Sequence, residues 1–319
     1  MEQVFISYGH YSRKIENVFR IEKQNNDEIM RIHGIVEGNY TLKLVAEMVS
    51  SSHFLYTCPQ SKINKVFSVK EVLDSVEVEL NFENSTNKPI DIVYLTYKES
   101  FSEKYFCKLL RKYPNLKRLH GVKGLVKAFK FSAFLSESNY YVLIDGDNDI
   151  LDSFDLNKVQ IPKEKNKLSL YMTKNPINDL VYGYGGIKVC PTENFRKIED
   201  NKIDPIASGG IIGLEPIHET ASVTRFNSTP FDSWKAGFRE IVMLTAQIDN
   251  EIKMSSERIK KIVGIWKSKG SNRKFGEWAI KGAIQGEQYA LKYKNDFDEL
   301  FKINDPSWLK QVFEQQLLD

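Results

Sequence analysis

Asp145, Gly146 and Asp147 stand directly after Tyr140-Tyr141-Val142-Leu143-Ile144, an uninterrupted apolar run. Two carboxylates separated by a glycine at the mouth of a buried strand can grip a hard cation such as Mg²⁺ or Mn²⁺ and share it with a diphosphate. Left without a cation, acids this close repel each other. The Asp-x-Asp spacing alone carries little weight, because Asp147/Asp149 and Asp296/Asp298 repeat it. An Asx-rich turn capping the next segment would read the same way. The 145/147 pair differs by its place after the apolar run and by a glycine that permits a tight turn.

The elements that must position this pair alternate. Asp91 to Tyr97 is rich in β-branched and aromatic residues and reads as a strand. Ser102 to Arg111 carries Tyr105, Phe106, Leu109 and Leu110 at helical spacing, and Pro114 stops it. Leu116 to Leu119 is a short strand. A second helix starts near Gly124 and buries Val126, Phe129 and Ala133. The run 140–144 then suits a strand covered on both faces, as in a parallel sheet between helices. That order predicts an α/β, Rossmann-like fold with a mostly parallel central sheet. Asp145 falls at the carboxyl edge, where open α/β sheets bind ligands. Further on, Lys167–Met172 and Gly186–Cys190 read as strands joined by a Gly/Tyr-rich loop. A long helix near Phe231 carries Trp234, Phe238, Ile241 and Ile248, and short helices near Phe297 and Trp308 close the chain.

The first 88 residues read as a degenerate α/β copy of the block that begins at residue 89. Val4-Phe5-Ile6-Ser7-Tyr8 matches Val93-Tyr94-Leu95-Thr96-Tyr97, Arg31-Ile32-His33-Gly34 matches Arg118-Leu119-His120-Gly121, and Ser52 to Thr57 aligns with Ser138 onward, all about 88 residues apart. Thr57-Cys58-Pro59 stands where Ile144-Asp145-Gly146 does, so the first copy lacks both carboxylates. The expected division is 1–88, a metal-free supporting half, and 89–319, the active domain.

The 319 residues carry a formal charge of +3, with 41% hydrophobic and 27% charged residues, which argues against disorder and against a dedicated DNA-binding domain. No apolar run approaches the roughly 18 residues of a membrane span. The opening Met1-Glu2-Gln3-Val4 lacks the regions of a secretory signal, and Cys58, Cys107 and Cys190 are spaced neither as disulfide nor as metal pairs. A reducing cytoplasm, that of the host if the chain is viral, is the expected setting. Between Ser255 and Lys274 seven basic residues face one acid, with Trp266 among them. This segment reads either as a solvated helix face followed by a loop or as a phosphate-tracking surface.

His120-Gly121-Val122-Lys123-Gly124, Lys127-Ala128 and Tyr140 through Asn148 resemble the nucleotide-sugar half of GT-A glycosyltransferases. With Asp91-Ile92-Val93, Asn175-Pro176-Ile177-Asn178, Tyr182-Gly183-Tyr184-Gly185-Gly186-Ile187-Lys188 and Phe226-Asn227 to Glu240, the set resembles a family of glycosyltransferase-like proteins of tailed bacteriophages over about residues 90 to 290. The resemblance implies a Mn²⁺- or Mg²⁺-dependent transfer of a sugar, arabinose or glucose, from a nucleotide diphosphate sugar to a hydroxyl. It points to 5-hydroxymethylcytosine in phage DNA as acceptor, with no membrane involved.

By that resemblance Asp145 and Asp147 hold the metal and donor diphosphate beside Gly146. Thr96 and Tyr97 sit at the nucleobase and ribose, and His120 and Lys123 reach base or phosphates where Gly121 lets the backbone approach. Lys174 and Asn175 bind sugar hydroxyls. Tyr182 and Tyr184 offer stacking platforms, and Lys188, Trp234, Arg239 and Trp266 complete an acceptor side. An inverting transferase also needs a base; Glu240 and Asp232 are the candidates, Asp232 serving equally as a helix cap. His218 is a candidate third metal ligand. Alternatives are a nucleotidyltransferase, weakened by the absence of a glycine/basic loop after residue 97, and a non-catalytic binder of DNA or protein.

Overall fold

The computed structural model describes residues 2–8, 19–25, 28–34, 46, 52–58, 63–74, 90–97, 99–122, 124–182, 186–198, 213–247 and 255–315. In the N-terminal block, β1 (Glu2–Tyr8), β2 (Phe19–Asn25) and β3 (Glu28–Gly34) run antiparallel in succession. β4 (His53–Cys58) lies parallel to β1 on its other side, β5 (Ile63–Ser68) pairs antiparallel with β4, and α1 (Val69–Asp74) follows.

Next come β6 (Asp91–Thr96), α2 (Ser102–Lys112), β7 (Lys117–His120), α3 (Leu125–Phe134) and β8 (Tyr140–Asp145), the alternation expected of this stretch. β7 and β8 both pair with β6 in parallel. Side chains of a strand point alternately to opposite faces, and both faces here are covered. Ile92, Tyr94, Val142 and Ile144 pack with Tyr105, Phe106 and Leu109 of α2. Val93, Leu95, Tyr141 and Leu143 pack with Val126, Phe129 and Ala133 of α3. Double coverage is why the run 140–144 contains no polar residue.

Beyond β8 the sheet becomes mixed. β9 (Asn148–Ile150), β10 (Lys167–Lys174), β11 (Val181–Tyr182) and β12 (Ile187–Pro191) precede α4 (Thr192–Arg196) and a long β13 (Gly213–Thr224). β12 joins β8 antiparallel, β10 joins β12 antiparallel, β13 runs parallel to β10, and β9 closes antiparallel to β13. The full order is β5-β4-β1-β2-β3-β7-β6-β8-β12-β10-β13-β9, with β11 on β10. The parallel block of three is therefore flanked by mostly antiparallel pairings. The N-terminal strands share this sheet through β3 and β7, which pair antiparallel with Arg31 opposite His120, Ile32 opposite Leu119 and His33 opposite Arg118.

A helical layer completes the fold: α5 (Pro230–Ala246), α6 (Ser256–Trp266), α7 (Gly276–Lys292), α8 (Phe297–Phe301) and α9 (Pro306–Gln315). α5 starts where Thr229 Oγ1 accepts from the Asp232 amide at 3.0 Å, with Pro230 at the first turn. The sequence pattern does not announce the long β13 or α7. α7 is hard to read because its buried face is built from Gly276, Ala279, Gly282, Ala283, Gly286 and Ala290 rather than from large apolar residues. Small residues let the helices touch: a Cβ at Gly282 would lie 2.1 Å from the Trp234 carbonyl oxygen. Among the described residues, no helix is long and apolar enough to cross a membrane.

Candidate functional site

β6 is the switch point of the parallel block: the chain leaves it to β7 on one side and returns to β8 on the other. Ligand crevices open at the carboxyl ends of such strands. Leu95 and Asp145 are register partners there, as are Thr96 and His120. Asp145, Gly146 and Asp147 form the turn that leaves β8.

Three contacts lock this turn. Tyr94 Oη donates to the Gly146 carbonyl at 2.7 Å. A Cβ at Gly146 would stand 2.8 Å from both Leu95 O and Thr96 Cγ2 and 2.9 Å from Glu99 Oε2, so nothing larger fits. The Arg225 amide donates to the Asp147 carbonyl at 2.6 Å. The third acid of the string, Asp149, turns away to Lys108 (3.3 Å) and Arg225 (3.2 Å).

The two candidate acids have different partners. Lys188 Nζ lies 2.9 and 2.8 Å from the two oxygens of Asp145 and 5.0 Å from the Phe129 ring centroid. Its side chain is 4% exposed, that of Asp145 32%. Burial raises the Asp145 carboxyl above its ordinary value while the Lys188 ammonium pulls it down. Asp147 accepts one hydrogen bond from Asn148 Nδ2, at 2.9 Å. Burial, Asp145 and Glu99 push Asp147 up to about 7. Glu99 accepts from the Tyr97 amide at 2.7 Å, and it too is raised by burial. The charges of Lys235 and, one turn on, Arg239 of α5 act against these rises, Lys235 on Glu99 and Asp147 and Arg239 on Asp145.

At the end of β7, Thr96 Oγ1 meets His120 Nδ1 at 2.7 Å and accepts from Arg118 Nε at 3.0 Å. Arg118 is buried, pairs with Glu103 at 2.7 Å and covers the Phe106 ring. Gly121 is buried with φ 84° and donates to the Thr96 carbonyl, and Gly124 caps α3 with φ 96°. Thr96, Tyr97, His120, Gly121, Gly146 and both aspartates thus share one sheet edge. Lys123 and Tyr184 lie outside the described residues.

Several expected site residues are placed elsewhere. Tyr182, Trp234 and Trp266 are core residues rather than acceptor contacts: they are 5%, 0% and 1% exposed. Trp234 donates to Gln285 at 2.7 Å, and Trp266 stacks on Phe226. Lys188 serves Asp145 and is too deep for an acceptor. Asn175 is fully buried, and its amide oxygen accepts from Ile177 N and Asn178 N, so it builds a turn rather than a sugar subsite. Lys174 is on the surface, paired with Asp179 at 2.9 Å. Arg239 donates to Asn304 at 3.0 Å.

Asp232 accepts from the Thr229 hydroxyl (2.8 Å) and lies near Lys235 (3.4 Å), so it sits in the first turn of the helix that Thr229 caps. Glu240 accepts from Tyr182 Oη at 2.6 Å, and Tyr182 in turn accepts from Trp266 Nε1 at 3.0 Å. Burial pushes Glu240 up to about 7 against the pull of Tyr182 and Arg239. His218 is exposed on β13, well back along the strand from Ser222. Among the described residues no three His, Cys, Asp or Glu side chains gather as metal ligands.

Sequence reasoning missed Glu99, Asn148 and Lys235, and it gave Lys188 another role. One signal was available: a lone lysine inside the apolar strand 187–191 must find a buried counter-charge. Compared with known proteins, the chain matches no family model, no curated protein and no solved structure.

Proposed function

We propose that the protein is a GT-A-type glycosyltransferase that moves a sugar from a nucleotide diphosphate sugar to a hydroxyl acceptor. The observation that carries this reading is the locked turn 145–147, which holds two carboxylates at the switch point of a doubly covered parallel block. Such a shelf suits a divalent cation that arrives with its diphosphate, since Mg²⁺ is commonly held by one or two carboxylates plus substrate phosphates. Asp147, raised by burial and then by its acidic neighbours, is the group a cation would most relieve, and Asp145 would help to hold the same ion. The cation supplies charge neutralisation of the leaving diphosphate. Lys235 and Arg239 of α5 add positive charge.

Of the two candidate bases we favour Glu240, because Asp232 is held by the Thr229 hydroxyl and Lys235, whereas Glu240 has Tyr182 Oη as its partner and burial raises its carboxyl to about 7. DNA bearing 5-hydroxymethylcytosine is the acceptor we favour, and Arg258, Lys260, Lys261, Lys269 and Lys274 present an exposed basic surface for its phosphates. The block 1–88 we read as a metal-free copy; its β1, β3 and β4 run in one direction, as do β6, β7 and β8, with β2 inserted.

The test is a thermal-shift screen of sugar nucleotides with Mn²⁺, followed by transfer to hydroxymethylated DNA. Stabilisation that needs both nucleotide and Mn²⁺, lost in Asp147→Asn, is the expected result. Stabilisation by no sugar nucleotide, or transfer unaffected in Asp145→Asn and Asp147→Asn, would reject the reading. One observation favours a non-catalytic binder instead: Lys188 already neutralises Asp145. A DNA gel shift without any sugar-nucleotide turnover would select it.

A further inference from the structure

Asn148 is 1% exposed, and its amide oxygen and nitrogen are both engaged. Its Oδ1 lies 2.8 Å from Ser222 Oγ, 3.2 Å from Thr224 Oγ1 and 3.3 Å from Thr173 Oγ1, while its Nδ2 donates to Asp147 Oδ1. The hydroxyls belong to two neighbouring strands, β10 and β13, which are also tied to each other: Ser222 Oγ donates to Thr173 Oγ1 at 2.9 Å, and Thr173 Oγ1 reaches the Ser222 carbonyl at 3.0 Å. Gly186 lies against the amide so closely that a Cβ there would sit 2.2 Å from Asn148 Oδ1. The three hydroxyls can accept as well as donate, so the ionised Asp147 carboxylate is what orients the amide. Reversing it would bring two acceptor oxygens together at Asp147.

We infer that Asn148 is a positioning residue which, through its amide, fixes the Asp147 carboxylate for the cation and diphosphate of the site. The inference rests on the proposed function. It assigns a role to the hydroxyl cluster Thr173, Ser222 and Thr224, which reaches the ligand only through Asn148 and Asp147. Partners of this kind set ligand orientation, and their loss typically lowers metal affinity or activity roughly 10–100-fold.

The experiment compares wild type, Asn148→Ala and Ser222→Ala. Mn²⁺ binding is followed by loss of the free-ion EPR signal with a nucleoside diphosphate present, and melting temperature and sugar-nucleotide hydrolysis are measured on the same samples. Asn148→Ala should weaken Mn²⁺ binding about 10-fold or more, and hydrolysis should recover as Mn²⁺ is raised. Ser222→Ala should shift both in the same direction by less, and it keeps the test open if Asn148→Ala does not fold. A lowered melting temperature with unchanged Mn²⁺ binding in the folded variants would overturn the inference and leave the proposed function standing. Wild type that binds no Mn²⁺ with any nucleoside diphosphate would overturn both.

Discussion

Lys188 reaches both oxygens of Asp145, at 2.8 and 2.9 Å, from the antiparallel strand beside it. Lys188 is the register partner of Leu143, so it shares a face with Asp145 two residues further along β8. A buried ammonium with one carboxylate partner makes that carboxylate indispensable to the fold as well as to any chemistry. Removing either partner of such a pair typically costs about 3–5 kcal/mol, because the other charge is left buried alone. Lys188→Met should therefore unfold at clearly lower denaturant than wild type, and adding Asp145→Asn should restore part of the loss. Equal, additive losses in urea titrations of the single and double variants would contradict the coupling.

Asp147 and Glu240 are both raised to about 7 in the fold, largely by burial. In the unfolded chain they release their protons near pH 4. Between these values the native state binds more protons than the unfolded state, so stability falls as pH rises from about 4 to about 7. Asp147→Asn should flatten that slope and raise the melting temperature near pH 8. Melting curves across pH that stay parallel for wild type and variant would be inconsistent with it.

Gly146→Ala should abolish sugar-nucleotide binding, because the added methyl meets Leu95 O, Thr96 Cγ2 and Glu99 Oε2 within 2.9 Å. Gly264 of α6 is the control, since a Cβ there would meet nothing within 4 Å. Gly264→Ala should gain up to about 1 kcal/mol from helix propensity with binding intact. Isothermal titration and chemical unfolding of both variants separate the two effects.

Tyr182→Phe removes the hydroxyl between Trp266 and Glu240. A buried group left without its partner costs about 1–3 kcal/mol, and the Glu240 carboxyl loses a bond that holds it down. The expected result is reduced stability and a titration of Glu240 moved to still higher pH, followed by carboxyl ¹³C shifts. An unmoved Glu240 titration would show that Tyr182 does not act on it.

The local pattern carried the central part of this fold. Apolar runs at 92–95 and 140–144, helical spacing in 102–111, and Pro114 are short-range signals, and they place β6, α2, β7, α3 and β8 close to their observed bounds. The turn at 145–147 was legible for the same reason, because strand ends follow from where the apolar run stops. α7 was not, since a stripe of glycine and alanine has little hydrophobic contrast. The acceptor side was misread because an aromatic residue looks alike whether it faces a ligand or a core. Trp234 and Trp266 became core residues only when helices 230–246 and 256–266 packed with 276–292.

By itself, then, the sequence determined which segments are strands and helices around residue 145 and that two acids leave the end of a buried strand; these depend on residues near one another in the chain. Only the tertiary structure decided that Lys188 neutralises Asp145, that Asn148 holds Asp147 through hydroxyls from residues 173, 222 and 224, and that Glu99 completes the acidic edge. Those relationships arise from strand register between segments far apart in sequence, and register is set by how whole faces bury against one another.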